Sequence, residues 1–322
     1  QWDILITTEA PLGEVSQLRT QEKVALAQRV ILLRGNPEIV DQQFYFQCLK
    51  SPLVQAGLKQ RATGTTVVGI KQSELRKVEI PWYPLPIQKR IADILSAYDD
   101  LIENNRRRIQ VLEEMARNLY REWFVKFRFP IYRENGTIER IHNPETDPMV
   151  DSQLGPIPEG WEVNAVSRIA DVHRGRSYRS KELASQGQGL AFINLKCIDR
   201  NGGFRHDGLK WYSGPYKSQQ EAHAGDIVMG VTDMTQERRV VARAARVPRG
   251  IADRFVYSMD LVKIVPSAIA CPREYLYGLL RYSGFHDVVK QYANGANVLH
   301  LKPKHIEDFS FALPREPLLR HY

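Results

Sequence analysis

Cysteine is scarce in this chain: Cys48, Cys197 and Cys271 are the only three in 322 residues, they lie far apart, and no two have CxxC spacing. That argues against a disulfide framework and against a zinc knuckle built from cysteine pairs, and it fits a reducing cytoplasm. Long apolar runs are also lacking. No stretch reaches the roughly 18 consecutive apolar residues of a membrane-spanning helix. The opening Gln1-Trp2-Asp3-Ile4-Leu5 has no basic segment before an apolar one, so it does not read as a signal peptide. It has no initiator Met and runs directly into strand-like sequence, which leads us to expect a clipped start.

Catalytic signatures are missing as well. An adenine N6-methyltransferase needs an Asn/Asp-Pro-Pro-Tyr/Phe loop to grip a flipped base, and the nearest string is Asn143-Pro144-Glu145-Thr146. No GxxxxGK[ST] phosphate loop occurs, and no spaced Asp…Glu-x-Lys set of a metal-dependent nuclease. The eight histidines include no HExxH pair. His173, His206 and His223 read as surface or partner-facing residues rather than catalytic ones. We therefore expect no catalytic centre, no metal and no cofactor.

What the chain has in excess is positive charge. Lys and Arg number 45 against 37 Asp and Glu, a net charge of +8. Such a surplus favours a polyanionic partner without proving one. From residue 154 onward there are 24 Lys+Arg and 17 Asp+Glu, a difference of 7, so most of the excess lies in the second half. The length suggests about two domains.

A duplication runs through the sequence. Adding 231 to positions 30–80 places Val30-Ile31-Leu32-Leu33 on Leu261-Val262-Lys263-Ile264, and Phe44-Tyr45-Phe46 on Tyr275-Leu276-Tyr277. Gln60, Ala62 and Gly64 fall on Gln291, Ala293 and Gly295; Ile70-Lys71 falls on Leu301-Lys302. After a two-residue slip, Pro84-Leu85 meets Pro317-Leu318. Upstream, Asp3-Ile4-Leu5 matches Asp226-Ile227-Val228 at the smaller offset of 223. Each copy reads as strand, aromatic-bearing helix, Gly-containing turn and Pro-bounded strand. Only the second has a long segment ahead of it, residues 154–225, and only the first is followed by a long helix. The repeating unit is thus a globular domain followed by a helix, which implies clipping at both ends.

That helix is predicted over residues 86–125, free of interior Pro and Gly. Ile87, Ile91, Ile94, Tyr98, Ile102, Asn105, Ile109, Leu112, Ala116, Leu119 and Trp123 follow spacings of mostly four and three, a coiled-coil stripe of about 40 residues or some 60 Å. A stripe this long calls for a partner helix, and the repeat suggests one after Tyr322. Asn105 interrupts the seam: it either fixes register or sits at an exposed edge. Arg106-Arg107-Arg108 reads as a solvated face. Residues 127–153, polar and Pro-containing, read as a linker.

With these features in place, the chain resembles the specificity subunits of type I restriction–modification enzymes. Gly155-Pro156-Ile157-Pro158-Glu159-Gly160-Trp161-Glu162-Val163 is similar to the start of their target-recognition domains. Ala224-Gly225-Asp226-Ile227-Val228 and Asp3-Ile4-Leu5 resemble a strand midway through such domains. Pro84-Leu85-Pro86-Ile87-Gln88-Lys89-Arg90-Ile91-Ala92 resembles the entry into their spacer helix. The resemblance implies an α/β (α+β) protein with duplicated target-recognition domains joined by a long coiled-coil spacer. The expected limits are 1–85 for the C-terminal part of the first domain, 86–126 for the spacer, 127–153 for the linker, 154–316 for the second domain, and 317–322 for the start of a second spacer. It further implies a non-catalytic cytoplasmic subunit that reads half-sites of a split target in double-stranded DNA. Its implied partners are DNA methyltransferase (modification) subunits and a restriction/translocase subunit, with no membrane role. Two alternatives remain open at this point: the recognition region of a fused restriction–methylation enzyme, and a coiled-coil assembly protein whose charge is incidental.

Two clusters are the candidates for holding DNA. In His173-Arg174-Gly175-Arg176-Ser177-Tyr178-Arg179-Ser180-Lys181, basic, hydroxyl and aromatic groups surround a glycine. Thr232-Asp233-Met234-Thr235-Gln236-Glu237-Arg238-Arg239 directly follows a strand. Gln can read adenine and Arg guanine in the major groove, while Lys and Arg hold phosphates. We single out Arg174, Arg176, Tyr178, Arg179, Lys181, Thr232, Gln236, Arg238 and Arg239, with Arg176, Gln236 and Arg238 as base readers. Lys302 and Lys304, with Asn297 at the repeat turn, are weaker candidates. The plainer alternative for all is a solvated basic surface. Trp211-Tyr212 and Tyr292 read as packing aromatics. The predicted helix seam is Ile91, Ile94, Tyr98, Ile102, Asn105, Ile109, Leu112 and Leu119.

Overall fold

A computed structural model describes residues 2–267 and 271–322. Positions 268–270, matched to 37–39 in the repeat, lie outside the described residues. The chain divides into two compact units, Gln1–Val111 and Leu112–Tyr322.

In the first unit, β1 (Asp3–Thr7) is the centre of a three-stranded antiparallel sheet, between β2 (Val15–Leu18) and β3 (Val30–Leu33). The pleat turns Ile4 and Ile6 inward, the two-residue period of a half-buried strand. Two helices cover that face, α1 (Gln42–Lys50) and α2 (Pro52–Arg61). Each begins where its sequence supplies a cap: the Asp41 carboxylate accepts from the Gln43 and Phe44 amides, and Ser51 caps α2 ahead of Pro52. Phe46, Leu49 and Val54 close over Ile4, while Leu58, Ile70 and Leu75 close over Ile6. A short α3 (Gln72–Leu75) follows the turn.

The long helix α4 (Leu85–Tyr120) continues as one π-helical turn, Arg121–Val125. Within the first unit its buried face is not the predicted stripe. Gln88 and Ala92 are buried instead. The Gln88 amide donates to the carbonyls of Ile39 (3.0 Å) and Tyr83 (2.6 Å) and accepts from the Asp41 N–H (2.8 Å), so a buried polar group is fully engaged. Two turns beyond Ala92, Asp99 accepts from Gln47 (2.6 Å) and Lys50 (3.3 Å) on α1. Of the predicted seam only Ile91 is partly covered, against Phe44 and Cys48. Ile94, Tyr98, Ile102, Ile109, Leu112 and Leu119 are exposed, and so is Asn105.

The second unit is larger. One sheet of five strands runs in the order β10 (Leu183–Ala184), β12 (Lys210–Tyr212), β11 (Leu190–Ile193), β17 (Phe255–Tyr257), β13 (Glu221–Ala222). A second of four runs β16 (Ala244–Arg246), β14 (Ile227–Gly230), β18 (Leu261–Pro266), β9 (Ala170–Arg174). Helices α5 (Arg273–Tyr282) and α6 (Phe285–Val289) pack on the latter, followed by α7 (Pro303–Glu307) and α8 (Glu316–His321). The end of α4 is built into this core. The Tyr120 and Phe124 rings lie 6.0 and 4.9 Å from that of Tyr275, and Phe124 lies 4.9 Å from Tyr322. Gly278 makes room: a Cβ there would stand 2.4 Å from the Tyr120 ring.

Two expectations need correction. Residues 127–153 are not a bare linker. They contain the hairpin β4 (Pro130–Tyr132) and β5 (Ile138–Ile141), then β6 (Met149–Val150) paired with β7 (Ile157–Pro158). Phe129 anchors them, stacked on His142 at 4.5 Å and 5.2 Å from Trp161. The aromatics that open this stretch need burial, which a solvated linker would not give. Secondly, no strand forms at 77–80, before Pro81. Its counterpart β20 (Ser310–Leu313) is a strand because β8 (Glu162–Ala165) pairs with it, and β8 comes from the segment that only the second copy has.

The duplication itself extends to individual hydrogen bonds. In the first unit Ile4, Leu5, Ile6 and Thr7 pair with Leu33, Leu32, Ile31 and Val30. In the second, Ile227, Val228, Met229 and Gly230 pair with Ile264, Lys263, Val262 and Leu261, the same register at offsets of 223 and 231. The bridge Thr63–Gly69 recurs as Asn294–His300, and Glu9–Gly69 as Thr232–His300. The Ile70 amide donates to Thr8 at 2.9 Å, as the Leu301 amide does to Val231 at 2.8 Å. Gly64 and Gly295 both have positive φ (120° and 153°), and a Cβ on either would press within 2.1 Å of a carbonyl three residues on, at Val67 and Val298.

Candidate nucleic-acid interface

The two basic clusters lie apart in sequence, and a three-residue turn between β17 and β18 joins them. The Arg176 amide donates to the Tyr257 carbonyl (2.7 Å), and the Met259 amide returns a bond to the Arg176 carbonyl (2.8 Å). On the other side of the turn, the Val231 amide donates to the Asp260 carbonyl (2.8 Å), and the Thr232 hydroxyl meets the Asp260 carboxylate at 3.2 Å. Ser258, fully buried, donates to the same carboxylate at 3.4 Å. The 258–260 turn thus has the first cluster on one flank and the second on the other.

The second cluster is held from within by Asp233. Its carboxylate accepts from the Thr235 amide and hydroxyl (both 2.9 Å) and from the Val240 and Val241 amides (2.7 and 3.3 Å). Burial pushes the Asp233 pKa up, but these donors outweigh it and leave the carboxyl below its usual range. From the loop, Gln236 donates to the Ala296 carbonyl (2.9 Å) and Arg238 to the Gln291 side chain (3.0 Å), tying it to the repeat turn. Arg238 takes a left-handed backbone conformation with φ 53°.

Not every singled-out residue is placed to touch DNA. Thr232 is buried in the pairing of β15 (Thr232–Asp233) with β19 (Leu299–His300), with its hydroxyl on Asp260, so its role is internal. Tyr178 packs edge-on against Phe192 at 4.8 Å, behaving as a core aromatic. Arg176 is half-buried, with the Tyr212 hydroxyl at 3.3 Å and Glu182 at 3.8 Å, so reading a base would require it to leave both. Arg174, Arg179, Lys181, Gln236, Arg239, Lys302 and Lys304 are exposed. Arg239 is paired with Glu237 at 2.5 Å. Arg238 is only half-exposed, and its Nε is buried without a partner.

Tyr212 and Trp211 are packing residues as expected, Tyr212 stacked on Phe192 at 5.1 Å. Tyr292 departs from expectation: it is about half exposed and stacks flat on His305 at 4.6 Å. Sequence reasoning missed Lys196 and Arg200, which with Arg205 line a cleft against Asp233, Met234 and Arg239. They are isolated basic residues between strands and carry no motif. It also missed the anchoring work of Asp233, though an Asp two residues before a Thr at a strand end is a readable turn signal.

Burial pushes the thiols of Cys48 and Cys197 up to about 11 and that of Cys271 up to about 12, so none is a ready thiolate. Among the described residues no three His, Cys, Asp or Glu side chains are grouped to hold a metal ion. Among the described residues no helix is long and apolar enough to cross a membrane.

The fold and this interface define a duplicated α/β scaffold whose second repeat presents two basic loops beside the 258–260 turn. Residues 2–114 match the family described as type I restriction modification DNA specificity domain. The type I restriction enzyme MjaIX specificity subunit of Methanocaldococcus jannaschii is 27% identical over 326 residues, covering 99% of this chain and 68% of that protein. The MjaVIII specificity subunit of the same organism is 28% identical over 196 residues, covering 61% of this chain and 40% of that one. Among solved structures, the type I restriction–modification system S subunit from M. genitalium shares the fold, with a TM-score of 0.56 at 16% identity, covering 99% of this chain and 73% of that one. The chain thus carries a match to the type I restriction modification DNA specificity domain over residues 2–114 and is similar to type I specificity subunits over nearly its whole length.

Proposed function

We propose that this chain is the sequence-reading subunit of a type I restriction–modification complex: it binds double-stranded DNA, reads half-sites of a bipartite target, and has no catalytic role of its own. The observation that carries this reading is the convergence of two basic loops on the 258–260 turn, each pinned by buried hydrogen bonds while exposed Arg, Lys and Gln side chains project from them. A rigid frame under flexible donors is what direct readout requires, since a base edge rewards a donor only at fixed distance and angle. Arg174, Arg179, Lys181, Lys302 and Lys304 hold phosphates in this reading; Gln236 and Arg238 read bases, exchanging their present partners on the repeat turn for base edges. Methyltransferase and restriction subunits, working in the cytoplasm, perform the chemistry. The exposed stripe of α4, Ile94 through Leu119, is where a partner helix and the modification subunits assemble.

Fluorescence anisotropy of the chain with its modification subunits, at several salt concentrations, tests this. Gln236→Ala or Arg238→Ala should cost about 1–3 kcal/mol on the cognate duplex and little on random DNA. Equal losses on both duplexes would remove these residues as readers. Ile94→Asp should weaken capture of the modification subunits, because it places a charge in an apolar seam.

A further inference from the structure

Every residue so far proposed to contact DNA lies in the second unit. The duplication says where to look in the first. Lys302 directly follows Leu301, whose amide is bound to Val231, and it precedes α7. Lys71 directly follows Ile70, whose amide is bound to Thr8, and it precedes α3. Both lysines are exposed, and their backbones match, with φ −74° and ψ 149° at Lys71 and φ −75° and ψ 136° at Lys302. The turn before each has the same bridge and the same positive-φ glycine. Two side chains set on one hydrogen-bonded frame face equivalent surroundings.

Those surroundings in the first unit form an open polar groove lined by Gln60, Arg61, Thr63, Lys71, Ser73 and Glu74. Its one carboxylate is already matched, with Lys77 at 2.6 Å and Arg61 at 3.6 Å. Lys71 is then the cation left to meet an incoming anion, with the amide of Gln60 and the hydroxyls of Thr63 and Ser73 as neutral donors beside it. In the second unit the equivalent surface is partly occupied, because Gln291 (matching Gln60) is engaged by Arg238 and Tyr292 (matching Arg61) is stacked on His305. In the first unit the Arg61–Glu74 pair stands where that stack is, and the groove beside Lys71 is open.

We infer that the Gln60–Lys71–Ser73 groove of the first unit is a seat for a DNA backbone phosphate, with Lys71 as the counterpart of Lys302. This rests on the chain's reading as a DNA-binding subunit. A phosphate contact carries no base information, so its signature is electrostatic: each lysine that displaces counterions contributes about one unit to the slope of log K against log salt.

The test measures that slope for the full chain with its modification subunits, on cognate and random duplexes. Variants are Lys71→Ala, Lys71→Gln, Lys302→Ala and, as a control outside the groove lining, the exposed Lys23→Ala, each checked by thermal melting for an unchanged fold. Lys71→Ala and Lys71→Gln should each flatten the slope by about one unit and weaken both duplexes by the same factor, while Lys23→Ala changes nothing. An unchanged slope for the Lys71 variants beside a flattened one for Lys302→Ala would overturn the inference and leave the DNA-binding reading intact. Equal flattening by Lys23→Ala would overturn it too, because the contact would then not be local. If the unaltered complex shows no salt-dependent affinity for any duplex, the DNA-binding reading itself fails.

Discussion

The two repeats keep one strand register and differ where they meet solvent. Between β1 and β2 the chain needs only residues 8–14; between β14 and β16 it takes 231–243, six more, and these extra residues contain the loop pinned by Asp233. At the position of Asp233 the first repeat has Ala10, with no carboxylate to gather amides. At the helices the repeats agree in principle and differ in residue. Lys50 lies over the Phe46 ring (4.8 Å) and pairs with Asp99; at the matching places Arg281 lies over Tyr277 (5.6 Å) and pairs with Glu113 at 3.3 Å. Where the first repeat has the ion pair Arg61–Glu74, the second has the stack Tyr292–His305. The backbone frame is thus common, and what each copy presents is set by a few side chains and one loop length. Such a division lets a loop change without disturbing the sheet, because the sheet's hydrogen bonds are completed below it.

The largest expected effect comes from making the second copy resemble the first at its loop. Asp233→Ala removes the acceptor of four hydrogen bonds and strands the Val240 and Val241 amides, at a cost of roughly 2–4 kcal/mol. Hydrogen exchange at those amides should accelerate and cognate DNA affinity should fall, with the first unit's protection unaltered. Unchanged exchange at Val240 and Val241 would mean that the carboxylate does not hold the loop.

A second difference predicts unequal response to acid. His286, matched to Gln55, is buried, with Nδ1 facing Asp287 at 3.3 Å and Nε2 without a partner. Burial, then the cations Arg243 and Lys290, lower its pKa from 6.5 to about 4. A base whose folded pKa is depressed stabilises the fold fully above its unfolded value, and that contribution is lost as pH falls from 6.5 toward 4. The loss amounts to about 3 kcal/mol. Gln55 does not titrate; its amide donates to the carbonyls of Gly13 and Leu49 (both 2.8 Å). Urea midpoints of the second unit should therefore drop between pH 7 and pH 4.5 more than those of the first, and His286→Gln should flatten the difference. A second unit as acid-tolerant as the first would contradict this assignment.

The smallest effect is expected from exchanging the exposed pairs. Tyr292→Arg with His305→Glu installs the first copy's ion pair in the second, and should change stability by less than about 1 kcal/mol, since exposed ion pairs and exposed stacks are both weak. A larger shift in the denaturation midpoint would show that the stack supports the turn beneath it.

Several features could be read directly from residues: the duplication with both of its offsets, the long helix, the strand-like run after Gly225, and two clusters rich in basic side chains. Each rests on local pattern, namely alternation in strands, absence of Pro and Gly in the helix, and matched glycines at a turn whose carbonyl leaves no room for a Cβ. The covered face of α4 was not readable. A heptad stripe reports which residues could pack, whereas Gln88, Ala92 and Asp99 are chosen by what α1 offers opposite them. Nor could sequence separate Thr232, buried and internal, from Gln236 four positions on, or show that Arg176 is already engaged by Tyr212 and Glu182. The junction of the two clusters at the 258–260 turn brings together residues more than fifty positions apart, and the strand at 310–313 exists because a distant segment pairs with it. Periodicity is a property of neighbours along the chain, so the sequence alone determined the repeat and its elements; partnership across space is set by packing and hydrogen bonding, so only the tertiary structure decided which charged side chains remain exposed and which are already engaged.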